Sequence, residues 1–290
     1  MIVAVKALAC ELPTRSGVPL SRWSQAALRQ EVLAQGVVAV VSRTTVARWL
    51  SADALRPWRY RSWLFPRDPT FAAKAAPILD LYAGHWAGRP LGPTAYVLSA
   101  DEKTSIQARC RCHPTQPPRP GAVMQVEHEY ARGGAWAYLA AWDVHRAQLF
   151  GRCEVTTGIA PFERLVAQVM AQAPYRTATR VFWIVDNGSA HRGTAAAARL
   201  QARWPTIVLV HTPLHASWLN QIEIYFSVVQ RKVLTPNVFA SLADLEDHLL
   251  RFQAYYVQHA QPFQWRFTRD DLLALLARLD PPAPALAQAA

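Results

Sequence analysis

Three carboxylates in the 290-residue chain stand where they could share a cation: Asp101, Asp186 and Glu223. Asp101 follows Tyr96-Val97-Leu98-Ser99-Ala100, and Asp186 directly follows Val181-Phe182-Trp183-Ile184-Val185. In an α/β sheet, chemistry gathers at the carboxyl ends of the strands, so acids placed where apolar runs leave the core are the informative ones. Glu223 lies in a segment of helical period whose Leu219, Ile222, Phe226, Val229 and Val233 form one apolar stripe. At about 100° per residue, Glu223 falls roughly 80° from the centre of that stripe, on the border of the buried face. From there it can lean over a sheet edge, whereas an ordinary solvated Glu sits opposite the stripe. Three carboxylates without convergent His or Cys suit a hard divalent cation, Mg²⁺ with Mn²⁺ as its substitute. Two such ions about 3.5–4 Å apart can activate a nucleophile and stabilise the leaving oxygen of an in-line displacement.

Other acids are weaker candidates. Glu102 points away from Asp101 if the strand continues through it. Asp143 ends a hairpin strand, and Glu127 and Glu129 lie in a loop or at a strand edge. Around the trio, Asn187 and His191 follow the second acid, while His211, His215 and Asn220 precede the third. These are candidates for orienting phosphate or water, with a turn role for Asn187 and a helix-start role for His191 as the competing readings. Of the four cysteines, Cys110 and Cys112 with His113 have the types for zinc, but the second ligand pair is missing, so reduced thiols are the expectation.

The elements that must position the acids can be read from hydrophobic period. Strands are expected at 96–98, 135–142, 148–155, 181–185 and 207–210. The last two are continuously apolar, as in parallel strands covered on both faces, and the pair across 135–155 reads as an antiparallel hairpin. Helices are expected near 71–86, 161–173 and 191–203, with a Pro-rich loop at 113–121 and a low-complexity tail from Pro281. The fold class is therefore α/β.

Upstream, residues 20–55 have helical period. Trp23, Ala27 and Leu33 mark one segment, Gly36 a break, and Ser42 the N-cap of a second segment that buries Val46, Trp49 and Leu50. Arg43, Thr44, Thr45 and Arg48 are left for the exposed face, the pattern of a helix-turn-helix whose second helix enters a major groove. A small helical bundle with a solvated basic face reads the same way. Arg59 and Arg61 follow, interleaved with Trp58, Tyr60 and Trp63, a mixture that suits a nucleic-acid backbone or packing back onto the helices. The formal net charge is +11, and 27 of the 31 basic residues are arginine, whose planar fork suits phosphate. Residues 1–70 carry 10 basic and 4 acidic side chains, which points to a polyanionic partner unless the composition reflects biased coding. No apolar run reaches the roughly 18–20 residues of a membrane span, and Lys6 interrupts the apolar start before any signal-like region forms. A cytoplasmic chain is expected.

Three segments carry a family resemblance: SADEKTSIQA at 99–108, IVDNGSAH at 184–191 and HTPLHASWLNQIEIYFSVVQRKVL at 211–234. They resemble the three acidic motifs of the bacterial insertion-sequence branch of the mariner-type DDE transposases. The 36 residues between Asp186 and Glu223 are in keeping with the short second spacing of that group, and VEHEYARGG at 126–134 extends the likeness. The resemblance implies an RNase H-like mixed sheet flanked by helices, preceded by a small all-α helix-turn-helix domain. It also implies Asp101, Asp186 and Glu223 as ligands of two Mg²⁺ ions. The implied activity is cleavage at transposon ends and transfer of the freed 3′-hydroxyl into target DNA. Double-stranded terminal repeats and target DNA would be partners, with a homodimer on paired ends, at the nucleoid. The domains expected are 1–68 for DNA binding, 69–94 as helical linker, 95–258 for catalysis and 259–290 as C-terminal helix and tail. Relatives carry a further helix-turn-helix upstream, so this chain is expected to be a truncated copy or the downstream product of a split frame. The alternatives are a silent DNA-binding remnant and an RNase H-like nuclease without strand transfer. A two-carboxylate glycosidase would leave the basic helical start unexplained.

Overall fold

The computed structural model describes residues 1–60, 68–188 and 193–279. The chain divides into two compact units, Met1–Phe65 and Pro66–Ala290.

In the first unit, α1 (Ile2–Cys10), α2 (Gln25–Ala34) and α3 (Arg43–Ala52) close around one apolar cluster. Ser42 caps α3 by accepting from Thr45 N at 3.0 Å, and Ser24 caps α2 by accepting from Ala27 N at 3.0 Å. Gly36 ends α2 at φ +66°, a left-handed conformation that costs a side-chain-bearing residue energy. Two sequence expectations are corrected here. Trp23 precedes α2 rather than sitting on it, so the buried face is Leu28 and Val32, with Ala27 and Leu33 only partly covered. The apolar start, to which the sequence reading assigns no element, is α1, whose Val5, Leu8 and Ala9 complete the cluster.

The second unit is built on a five-stranded sheet of order β5-β4-β3-β6-β7. The strands are β3 (Ala95–Cys110), β4 (Ala131–Asp143), β5 (Leu149–Glu154), β6 (Arg180–Val185) and β7 (Ile207–His211); β1 (His85–Trp86) and β2 (Arg89–Pro90) form a separate small hairpin that the sequence reading missed. Strand β4 is antiparallel to both β3 and β5, whereas β6 is parallel to β3 and to β7. One face is covered by α5 (Ile159–Met170) and α6 (Gly193–Arg203). The other lies under α4 (Phe71–Tyr82), α7 (Ile222–Lys232) and α8 (Leu242–His259), while α9 (Arg269–Leu279) packs by Leu272 beside Phe71 and Leu79 of α4. Helix α4, read as a linker, buries Ile78 and Leu81 in the sheet's own core. Strand β3 also outruns its expected end, staying paired with β4 through Cys110 past a bulge between Lys103 and Ile106. Its polar Asp-Glu-Lys-Thr stretch looked like a strand exit because the strand beyond it is a two-stranded ribbon that buries only one face, through Ile106 and Ala108. Among the described residues, no helix is long and apolar enough to cross a membrane.

Candidate active site

Alternation along the strands decides which carboxylates meet. Val97 belongs to the core under α7, Leu98 and Ala100 to the core under α5, and on β6 Phe182 and Ile184 alternate with Trp183 and Val185 in the same way. By this period Ser99 and Asp101 face α7, as does the position of Asp186. The last parallel pair is Ser99 with Ile184, and each acid lies two residues beyond it, on neighbouring strands about 4.8 Å apart. On the other side Asp101 is opposite Ala140, a small residue that leaves room above the sheet. Helix α7 lays Ile222, Tyr225, Phe226 and Val229 on this face, so Glu223 in its first turn is half-buried at the edge of the contact.

The join between α7 and β3 is a compact hydrogen-bond network. The buried Ser99 hydroxyl donates to Asn220 Oδ1 and accepts from Ile222 N at 2.8 Å. Asn220 Nδ2 in turn donates to Ala100 O at 3.0 Å and reaches Asp101 Oδ2 at 3.3 Å. Tyr82 of α4 donates to Leu219 O at 2.6 Å and accepts from Gln221 N at 3.3 Å. Every polar group at the start of α7 that this network meets is thereby fixed relative to the strand bearing Asp101. Ser99 and Tyr82 were missed in the sequence, although a small hydroxyl as the lone polar side chain in an apolar run, two residues before an acid, was a usable signal.

The carboxylates act on one another electrostatically. Burial, joined by the charges of Asp186, Glu102 and Glu223, pushes Asp101 up to about 7, against the stabilising bond from Glu102 N at 2.8 Å. Glu223 is raised by burial and by Asp186, with Lys103 opposing. Asp186 Oδ1 accepts from Gly188 N at 2.7 Å. Among the described residues, no three His, Cys, Asp or Glu side chains are grouped closely enough to hold a metal ion as they stand. The donor chemistry nevertheless fits a hard cation, since the three groups offer only oxygen and share an excess of negative charge.

The remaining candidates separate by position. Asn187 donates to Thr212 O at 2.7 Å, tying the turn after β6 to the segment after β7. His215 is exposed in a left-handed conformation, and His191, like Arg61, lies outside the described residues. Asp143 falls on the opposite face, accepting from the Tyr175 hydroxyl at 2.7 Å and capping the turn through His145 N and Arg146 N. Glu127 accepts from His113 N at 3.0 Å in the ribbon loop. Arg43, Thr44, Arg48 and Arg59 are exposed, and Thr45 is half-buried beside the Ser42 cap.

Residues 96–246, more than half of the chain, match the family described as DDE superfamily endonuclease. This chain belongs to that superfamily. The matched span of the DDE endonuclease contains all three carboxylates and every strand of the five-stranded sheet from β3 to β7. Two solved structures resemble it, each over 96% of this chain and 76% of the other. One is described as a Mos1 transposase paired-end complex with left transposon end, at 11% identity and a TM-score of 0.52. The other is described as the Mos1 strand transfer complex, at 12% identity and a TM-score of 0.50. At such identities the likeness is one of fold, and the fold of the DDE chain is RNase H-like. No curated protein matches the sequence.

Proposed function

We propose that this DDE endonuclease is a mariner-type transposase that cuts DNA at element ends and joins the freed 3′-hydroxyl to target DNA. The observation that carries the reading is that Asp101 and Asp186 follow neighbouring strands on one face of the sheet, while Glu223 lies in the first turn of the helix that covers that face. These three would hold Mg²⁺, or Mn²⁺ in its place. A divalent cation bound there polarises phosphate oxygens and lowers the pKa of bound water. The protein's part is to fix the carboxylates: Asn220 and Ser99 hold the α7 backbone to β3, Tyr82 supports the same turn, and the apolar cores on both faces keep the strands in register. Phosphoryl transfer asks mostly for such positioning and charge compensation, and the same site serves first water and then a 3′-hydroxyl as nucleophile.

In this reading α2 and α3 form a helix-turn-helix, with Arg43, Thr44, Thr45 and Arg48 towards the major groove and Arg59 and Arg61 on the phosphate backbone. Two copies would act on paired ends, in the cytoplasm at the nucleoid. The test is strand cleavage and joining on DNA that carries the inverted repeats flanking the reading frame, with Mg²⁺ or Mn²⁺, comparing the wild type with Asp186→Asn. Metal-dependent nicking that the variant loses, followed by joined products, is expected. Nicking without joining would make the protein a plain nuclease, and salt-sensitive binding without nicking would make it a silent relative.

A further inference from the structure

A cleft of about 910 Å³ opens between the distal half of β3, the segment Val126–Tyr130 and the turn Thr235–Asn237. Lys103, whose charge acts on Glu223, stands at its carboxylate end. Lys103, Arg109 and Arg111 line it, against Glu127 as the one acid among the described lining residues, and Glu127 is already engaged by His113. The two arginines differ. Arg111 is fixed by donating from Nε to Glu127 O at 2.7 Å and from Nη1 to Asn237 O. The Arg109 backbone N–H donates to Asn237 Oδ1 at 3.1 Å, its guanidinium lies 4.6 Å over the Tyr130 ring that Arg111 also overlies at 5.6 Å, and its Nε is buried without an acceptor.

A buried guanidinium donor without a partner is unfavourable until an anionic oxygen reaches it, and a phosphodiester supplies both the oxygen and the charge. The volume is at the upper end of the roughly 300–1,000 Å³ that small ligands occupy, so it suits a few nucleotides rather than a duplex whose major groove alone is about 12 Å wide. A cationic groove flanked by a partly exposed aromatic ring is the combination that holds single strands, and Tyr130 keeps 38% of its surface open.

We infer that this cleft is a subsite for single-stranded DNA, where Lys103 and Arg109 hold successive phosphates of the strand leading away from the carboxylates and Tyr130 flanks its bases. The inference rests on the DNA-cleaving reading for the identity of the strand. It can be tested with the full chain, in chelator, on a fluorescein-labelled oligothymidylate of about eight nucleotides, within the span of single-strand grooves, carrying one 5-iodouracil for photocrosslinking. The crosslink is expected on Tyr130, and duplex of the same length should compete poorly. Arg109→Gln should weaken binding about tenfold and reduce the slope of log affinity against log salt by about 0.7, the share of one phosphate on a single strand. Lys103→Gln, at the rim, should do the same and decides the matter if circular dichroism shows Arg109→Gln to be misfolded. Unchanged affinity in the folded variants, a crosslink outside Val126–Tyr130, or equal competition by duplex would overturn the subsite. The two readings fail separately: absent cleavage with an intact Tyr130 crosslink removes the nuclease reading alone, and intact cleavage with no crosslink removes the subsite alone.

Discussion

At the scale of single residues, the site depends on neutral side chains as much as on its acids. Asn220→Ala would remove the links to Ser99, Ala100 and Asp101 together. The expected result is a loss of about 1–3 kcal/mol in stability and a fall of up to about 100-fold in cleavage rate as Asp101 loses its placement, read by thermal unfolding and single-turnover cleavage. A second prediction concerns acid. Arg164, with Arg152, holds Glu154 below its ordinary value, and both bonds are charge-assisted, with Arg152 Nε at 2.6 Å and Arg164 Nη2 at 2.5 Å. Because the folded form binds this proton less readily than the unfolded form, the stabilisation is full above the unfolded carboxylate value and is lost as pH falls through the folded one. The difference in melting temperature between the wild type and Glu154→Gln should therefore be largest above about pH 5 and should shrink towards about pH 3. The acids stand out as candidates in the sequence because of where each falls in the hydrophobic pattern. Asn220 was legible only as a neighbour of Glu223, since its partners lie about 120 positions earlier in the chain and are brought to it by the fold.

At the scale of elements, the sequence reported period faithfully and boundaries less well. The α7 stripe placed Glu223 at the border of the core, as found, but omitted Tyr225, which is fully buried because Tyr138 and Gln253 provide a polar niche on this face. Helix α8 escaped notice, although it covers β5 and the edge of the sheet. Its packing makes a sharp prediction at Gly151, where an added methyl would meet the Tyr138 hydroxyl and the Gln253 carboxamide. Gly151→Ala should cost about 1–3 kcal/mol by forcing α8 or Tyr138 to shift, and denaturant midpoints would measure it. No pattern in β5 alone reveals this, because the obstacle comes from two other elements.

At the scale of the whole molecule, the charge is plain in the sequence, but the makeup of the helical unit is not. The helical unit needs three helices to close its core, and α1 was hidden because its nine residues, Ile2–Cys10, are apolar nearly all round, with Lys6 as the lone charge. Val5 is fully buried there, so Val5→Asp should unfold that unit, lowering helical circular dichroism and abolishing a gel shift on element-end DNA. The long β3 has a different consequence. Its first residues are locked between β6 and β4, while those past the bulge at Lys103–Ile106 pair with β4 as their one strand neighbour and are pinned from the side by Asn237 and Phe239. Residues can therefore be added to or removed from the ribbon tip without changing the register that carries Asp101. The fold separates what must stay fixed from what is free to vary along a single strand, and related chains should differ most in length between Cys110 and Ala131.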